Sequence, residues 1–167
     1  DETAPDDEWL LNWNLHVMAS VWGARAVIPA MRARGSGYFI ITASAAGLLS
    51  SVPSTTYAVT KHAAIAFAEK LAIDHGGAGI QVSVLCPQAV DTPLMAGRLG
   101  KGAALDGVAS PDEVADHVIQ GMQGGQFQVA LEPAAQPMQS GLEEVSVLVA
   151  GHAGSTPRPV SKVASGG

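Results

Sequence analysis

The order of local signals along the 167-residue chain predicts an α/β fold, a doubly wound parallel sheet of three strands alternating with helices. Three observations carry that expectation. Residues 38–42 (Tyr-Phe-Ile-Ile-Thr) and 80–86 (Ile-Gln-Val-Ser-Val-Leu-Cys) are short continuous runs of β formers, of the kind buried on both faces of a parallel sheet. Each run follows a long segment of helical character. The breaks Gly35-Ser36-Gly37 and Gly76-Gly77-Ala78-Gly79 separate helix from strand each time.

The first helix is expected over residues 9–31, capped by Asp6 or Asp7 and with Glu8 near the positive end of its dipole. Trp9, Leu10, Trp13, Val17, Val21, Ala24 and Ile28 recur at three- and four-residue steps, and Pro29 should end or bend the helix. A loop of small residues, 43–54, follows the first strand. The second helix, residues 55–75, is apolar nearly all round and should be covered on more than one side. After the second strand, an irregular loop with Pro87 and Pro93 extends to about Val108. Ser110-Pro111-Asp112-Glu113 then marks a helix start, which combines a Ser cap, Pro at the first position and acids in the first turn. That helix is expected to end within residues 121–125, and residues 127–131 form a last short strand. Residues 133–167, richer in Pro, Gly, Ser and Ala, read as a loosely ordered tail beyond a folded unit of residues 1–132.

Composition narrows the function. With 9 Lys plus Arg against 15 Asp plus Glu, the net charge is −6, and no basic stripe offers itself to nucleic acid. An apolar fraction of 47% excludes wholesale disorder, while no apolar run reaches the roughly 18 residues of a membrane span. The single Cys86 makes no internal disulfide and no signal peptide opens the chain, so a reducing cytoplasm is expected. Cys86 itself reads as a packing residue at the end of a buried strand. His62, His75, His117 and His152 lack ligand spacing with Cys86 or with acids, so no metal is expected. Trp9, Trp13 and Trp22 read as core or interface anchors.

Tyr57 and Lys61 stand four residues apart near the start of the second helix, so both project from one face. A phenol ionises near pH 10, and bringing it to neutrality takes roughly 4 kcal/mol of preferential stabilisation of the phenolate. An ammonium about 4 Å away supplies approximately that at an effective dielectric of 20. The same spacing also occurs on ordinary solvated helix faces. Ser44 places a hydroxyl just beyond the first strand, at the sheet edge where α/β proteins bind ligands, unless it is merely a turn serine bonded to its own backbone. Pro87-Gln88-Ala89-Val90-Asp91-Thr92-Pro93 brings a rigid turn and a further hydroxyl to the same edge. No Gly-x-Ser-x-Gly elbow accompanies Ser44, which argues against a serine hydrolase.

With these residues the chain resembles the short-chain dehydrogenase/reductase family. Ser44-Ala45-Ala46-Gly47 with Tyr57-Ala58-Val59-Thr60-Lys61 resembles its active-site stretch, and Pro87-x-x-Val90-x-Thr92 resembles the turn after its sixth strand. The resemblance covers residues 9–131. It implies a Rossmann-like sheet and hydride transfer between NAD or NADP and an alcohol or carbonyl. Tyr57 would exchange the proton, Lys61 would lower its pKa and bind the nicotinamide ribose, and Ser44 would hold the substrate oxygen. Pro87, Val90 and Thr92 would lie along the nicotinamide. Self-association through helices 9–31 and 55–75 is also implied, as is a small-molecule substrate. Met95, Leu94, Leu99 and Leu105 suggest that the substrate is apolar.

The sequence departs from the family pattern in three places. It has no TGxxxGxG-like turn and no Asn-Asn-Ala-Gly run, so it corresponds to the catalytic half without the N-terminal dinucleotide-binding half. Its start at Asp1, without Met and in an acidic stretch, is expected to mark where that half attaches. Such a truncated sheet would leave an apolar strand with an open edge. The family's relay Asn is matched by Asn14 in chemistry but by His16 in spacing to Pro29 and Ser44. Gln88 stands where the family has Gly. A catalytically silent module for self-association is the alternative to an enzyme.

Overall fold

The computed structural model describes residues 1–49, 54–95 and 108–130. The expected tail and most of the loop before Val108, including Leu99 and Leu105, lie outside the described residues. The first helix is longer than its periodicity predicts. Helix α1 (Asp6–Trp13), a π-helical turn (Asn14–Met18) and helix α2 (Ala19–Arg34) run on without a break. Pro5 precedes the first turn without a side-chain cap, and Asp6, Asp7 and Glu8 fall inside that turn, where they face the positive end of the dipole. Pro29 sits within α2 and does not end it. Pro29 and Arg25 are both exposed, so the carbonyl that loses its N–H partner faces water. Gly35, at φ 70°, closes the helix.

Strand β1 (Gly37–Thr42), helix α3 (Thr55–His75), strand β2 (Ile80–Cys86), helix α4 (Pro111–Gln123) and strand β3 (Gln128–Ala130) follow. The three strands pair in parallel in the order β1-β2-β3, with Gly37 opposite Ile80 and Thr42 opposite Leu85. The expected alternation of helix and parallel strand is therefore present. Ser110 caps α4 through a full capping box with Glu113, as the sequence predicts.

Ala24 and Ile28 of α2, Ala64, Ile65, Ala68 and Leu71 of α3, and Ile41, Ile80, Val82 and Val84 of the sheet form the core. Each buried Val, Leu or Ile contributes about 1.5–3 kcal/mol by leaving water. On the central strand, Ser83 is fully buried, donating to the Gln126 carbonyl and accepting from the Tyr38 hydroxyl at 2.5 Å. One side chain thus ties β1 and the approach to β3 to β2 and leaves no buried hydroxyl unpaired.

Two expectations of burial need correcting. Strand β1 is covered on one face only: Ile41 is buried, whereas Ile40 and Thr42 on the other face are exposed. Among the described residues no strand pairs with its outer edge. Helix α3 is covered along the face that carries Thr56, Thr60, Ala64, Ala68 and Leu71, but Val59 and Ile73 point outward. Trp13 and Trp22 are likewise half-exposed and belong to no core among the described residues. No helix among the described residues is long and apolar enough to cross a membrane.

Gly79 sets the start of β2. It has φ +75°, and a Cβ there would stand 2.1 Å from the Gly35 carbonyl oxygen. Gly77, two residues earlier, has open space around it. Replacing Gly79 by Ala should destabilise the fold by about 2 kcal/mol or more, from left-handed backbone strain and the clash together. Gly77→Ala should stay within about 0.5 kcal/mol. Urea unfolding of both variants checks the pair.

Candidate active site

The parallel pairing of β1 and β2 continues past the strands. Ala43 N–H donates to the Leu85 carbonyl at 2.8 Å, and Ala45 N–H to the Pro87 carbonyl at 2.9 Å. The two strand ends therefore leave the sheet side by side, and Ser44 lies between those two bonds. Its Oγ accepts from Ala46 N–H at 3.2 Å, capping the short turn Ala45–Gly47. It also faces the Pro87 carbonyl at 3.5 Å, a long contact that leaves the hydroxyl proton weakly held. The turn-serine reading and the site reading are thus compatible in one geometry.

Gly47 explains how this turn reaches the helix. A Cβ there would meet the Lys61 carbonyl oxygen at 2.7 Å and Ile65 at 2.8 Å, so the turn lies flush against α3. Ser54 caps α3 by accepting from Tyr57 N–H at 3.3 Å. Tyr57 and Lys61 then project from the covered side of the first two turns. Lys61 is only 8% exposed. Its Nζ donates to the Thr42 carbonyl at 3.1 Å and stands 5.5 Å from the centre of the Tyr57 ring. Burial holds the Lys61 pKa below the usual lysine value.

Cys86 is buried in the neighbourhood of Ser44 and Lys61, and its thiol is pushed up to about 11, chiefly by burial. A thiol so raised stays protonated at neutral pH, in keeping with a packing role. The turn after β2 is pinned from outside: Val90 bridges Ala109, Asp91 N–H donates to the Ala109 carbonyl at 2.9 Å, and Ala109 N–H to the Ala89 carbonyl at 3.0 Å. Thr92 Oγ1 reaches the Val90 carbonyl at 3.3 Å. The Gln88 amide oxygen is buried without a hydrogen-bond donor among the described residues.

The structure decides which residue of the π-helical turn faces this edge. Asn14 is exposed, whereas His16 is half-buried, with its ring perpendicular to that of Tyr57 at 5.2 Å between centres. Its Nδ1 is 2.8 Å from Thr60 Oγ1. The sequence reading missed Thr60, which stands one helical turn beyond Thr56 and directly before Lys61. It also missed the Thr42 carbonyl that receives Lys61, because backbone acceptors leave no trace in a sequence.

A model of the short chain dehydrogenase family matches residues 1–101. The chain is 39% identical over 111 residues to a 1-deoxy-11-beta-hydroxypentalenate dehydrogenase of Streptomyces exfoliatus, covering 65% of this chain and 40% of that protein. It is 32% identical over 136 residues to the enzyme of the same name from Streptomyces avermitilis, covering 80% and 50%. The chain thus spans half or less of the length of these curated relatives. Among solved structures, L-sorbose reductase from Gluconobacter frateurii, complexed with NADPH and L-sorbose, superposes with a TM-score of 0.70 at 26% identity, covering 79% of this chain and 59% of that one.

His16 also generates a pH dependence. Burial, and then the Lys61 charge, lower its pKa from the ordinary 6.5 to about 4. An unfolded chain protonates this ring as pH falls below about 6.5, and the folded chain only near 4. The stability it contributes is therefore present above pH 6.5 and lost as pH falls to about 4. Melting temperatures measured across that window should fall more steeply for the wild type than for His16→Asn. Equal slopes would contradict the assignment.

Proposed function

The chain belongs to the short-chain dehydrogenase family of oxidoreductases, and on that premise we propose that residues 1–132 are the catalytic half of an NAD(P)-dependent enzyme interconverting an alcohol and a carbonyl. The observation that supports this most directly is the convergence at one sheet edge. Lys61 is buried between Thr42 and the Tyr57 ring, and Ser44 stands two residues beyond Thr42 on the same strand end.

Tyr57 is the acid–base group. In the oxidative direction it accepts the proton of the substrate hydroxyl, and in the reductive direction it returns a proton to the nascent alkoxide. The Lys61 ammonium stands 5.5 Å from the centre of the Tyr57 ring and keeps N–H donors beyond the one used by Thr42. Ser44, whose proton is held only by the 3.5 Å contact to Pro87, donates to the substrate oxygen as negative charge develops there.

The residues at this edge fit the nicotinamide end of NAD or NADP. Lys61 has spare donors for a ribose hydroxyl, Thr92 has a hydroxyl held only at 3.3 Å, and the buried Gln88 oxygen has no donor among the described residues, where a carboxamide would supply one. Pro87 and Val90 supply the backbone that lines this end. When bound, the cofactor takes up or delivers the hydride exchanged with the substrate carbon. No residue of this sequence is assigned to the adenine or pyrophosphate. The substrate is a small alcohol or carbonyl compound, and the apolar Met95 beyond Thr92 favours an apolar one.

A second reading, a catalytically silent module that self-associates, is favoured by the exposed Leu10, Leu11, Trp13, Leu15 and Trp22 of the first helix. Fluorescence titration with NADH and NADPH, followed by turnover of apolar alcohols, separates the two. The enzyme reading predicts cofactor binding and a loss of roughly 10²-fold or more in kcat for Tyr57→Phe, with binding retained. Absence of binding and of Tyr57-dependent turnover would leave the module reading.

A further inference from the structure

Thr60 is fully buried in α3. Three atoms surround its hydroxyl oxygen: the Thr56 carbonyl at 2.7 Å, the Tyr57 carbonyl at 3.2 Å and His16 Nδ1 at 2.8 Å. A hydroxyl has one proton to give, and carbonyl oxygens can only accept. The Thr60 proton is therefore committed to the carbonyls, the nearer one being Thr56. The third neighbour must bring its own hydrogen, so His16 donates from Nδ1 to Thr60 Oγ1. With the roles reversed, the Thr60 oxygen would face a carbonyl at 2.7 Å with no proton between them, in a place water does not reach.

A neutral imidazole protonated on Nδ1 carries its lone pair on Nε2. Nε2 has no hydrogen-bond partner among the described residues. The ring stands edge-on to Tyr57, an arrangement that favours aromatic pairs and restricts the tilt of both rings. The π-helical turn Asn14–Met18 presents this ring to α3.

We propose that His16 is a positioning residue for Tyr57: Thr60 locks it as the neutral Nδ1–H tautomer, its perpendicular ring fixes the phenol, and its Nε2 is a hydrogen-bond acceptor beside the Tyr57–Lys61 pair. The lowered His16 pKa agrees, since a ring neutral down to about pH 4 keeps this tautomer throughout the neutral range. An amide side chain has a donor and an acceptor at fixed positions, whereas this imidazole receives its polarity from Thr60. The inference rests on Tyr57 being the acid–base group, but the tautomer is read without turnover.

The test is a two-bond proton–nitrogen NMR correlation on protein labelled with 15N-histidine, with the His16 ring assigned by its loss in His16→Gln. At neutral pH the expected spectrum has a protonated Nδ1 and an unprotonated Nε2. Thr60→Val should shift His16 towards the Nε2–H form and move the Tyr57 ring resonances, and Thr60→Ser should restore both. A wild-type ring protonated on Nε2, or on both nitrogens, would overturn the tautomer. Tyr57 resonances that stay unmoved in both Thr60→Val and His16→Gln would overturn the positioning role. If Tyr57→Phe retains full activity while the tautomer is as expected, it is the acid–base reading that fails.

Discussion

The parallel pairing of β1 with β2, carried from Gly37–Ile80 through to Ala45–Pro87, decides where Ser44 and the turn after β2 come to lie, and sets the edge that the rest of the candidate site meets. Parallel strands end at the same edge, so the loops that leave them are neighbours without any further instruction. At one end the close approach of Gly79 to Gly35 fixes the register. At the other, the Pro87 carbonyl serves both the Ala45 amide and the Ser44 hydroxyl. Shifting β1 by one residue against β2 would turn Ile41 out of the core and move Ser44 out of line with the turn that follows β2.

Helix α3 brings the second half of the chemistry to that edge. An ammonium as buried as Lys61 needs compensation, and the Thr42 carbonyl at the end of β1 provides part of it. The same bond sets the helix against the strand end. Gly47 lets the turn after β1 lie against the helix backbone, and the Glu8 carboxylate accepts the buried Thr56 hydroxyl at 2.7 Å, holding the first helix to the start of α3. His16 reaches Thr60 from that anchored helix. The site is therefore a junction of three elements, each held by polar contacts that also satisfy buried groups.

Much of this was legible in the sequence because it depends on local chemistry. The runs 55–75 and 80–86 coincide with α3 and β2, since glycines end them and β-branched or small residues fill them. Ser110 and Glu113 announced their capping box by spacing alone. Ser44, Tyr57 and Lys61 stood out as hydroxyl, phenol and ammonium at spacings that parallel strands and helical turns bring together. What was not legible depends on groups distant in sequence or on backbone atoms. Nothing in the composition of Asn14–Met18 announces a π-helical turn. Pro29, expected to end or bend the first helix near residue 31, lies inside α2, which runs on to Arg34. The bare face of β1 could not be read from residues 38–42, whose composition suits a strand buried on both sides.

The exposed apolar residues of the first helix and of β1 show that this sheet and its helices leave surface uncovered, while Lys61, at the edge that also carries Ser44 and Tyr57, is buried. The competence of this edge for the nicotinamide end can be examined without the rest of a dinucleotide. Chemical-shift mapping with reduced nicotinamide mononucleotide should produce saturable shifts at Ser44, Tyr57, Lys61, Val90 and Thr92, with α4 beyond its first turn unmoved. Shifts absent from those residues, or centred on another face, would contradict the assignment of this edge as the site of hydride transfer.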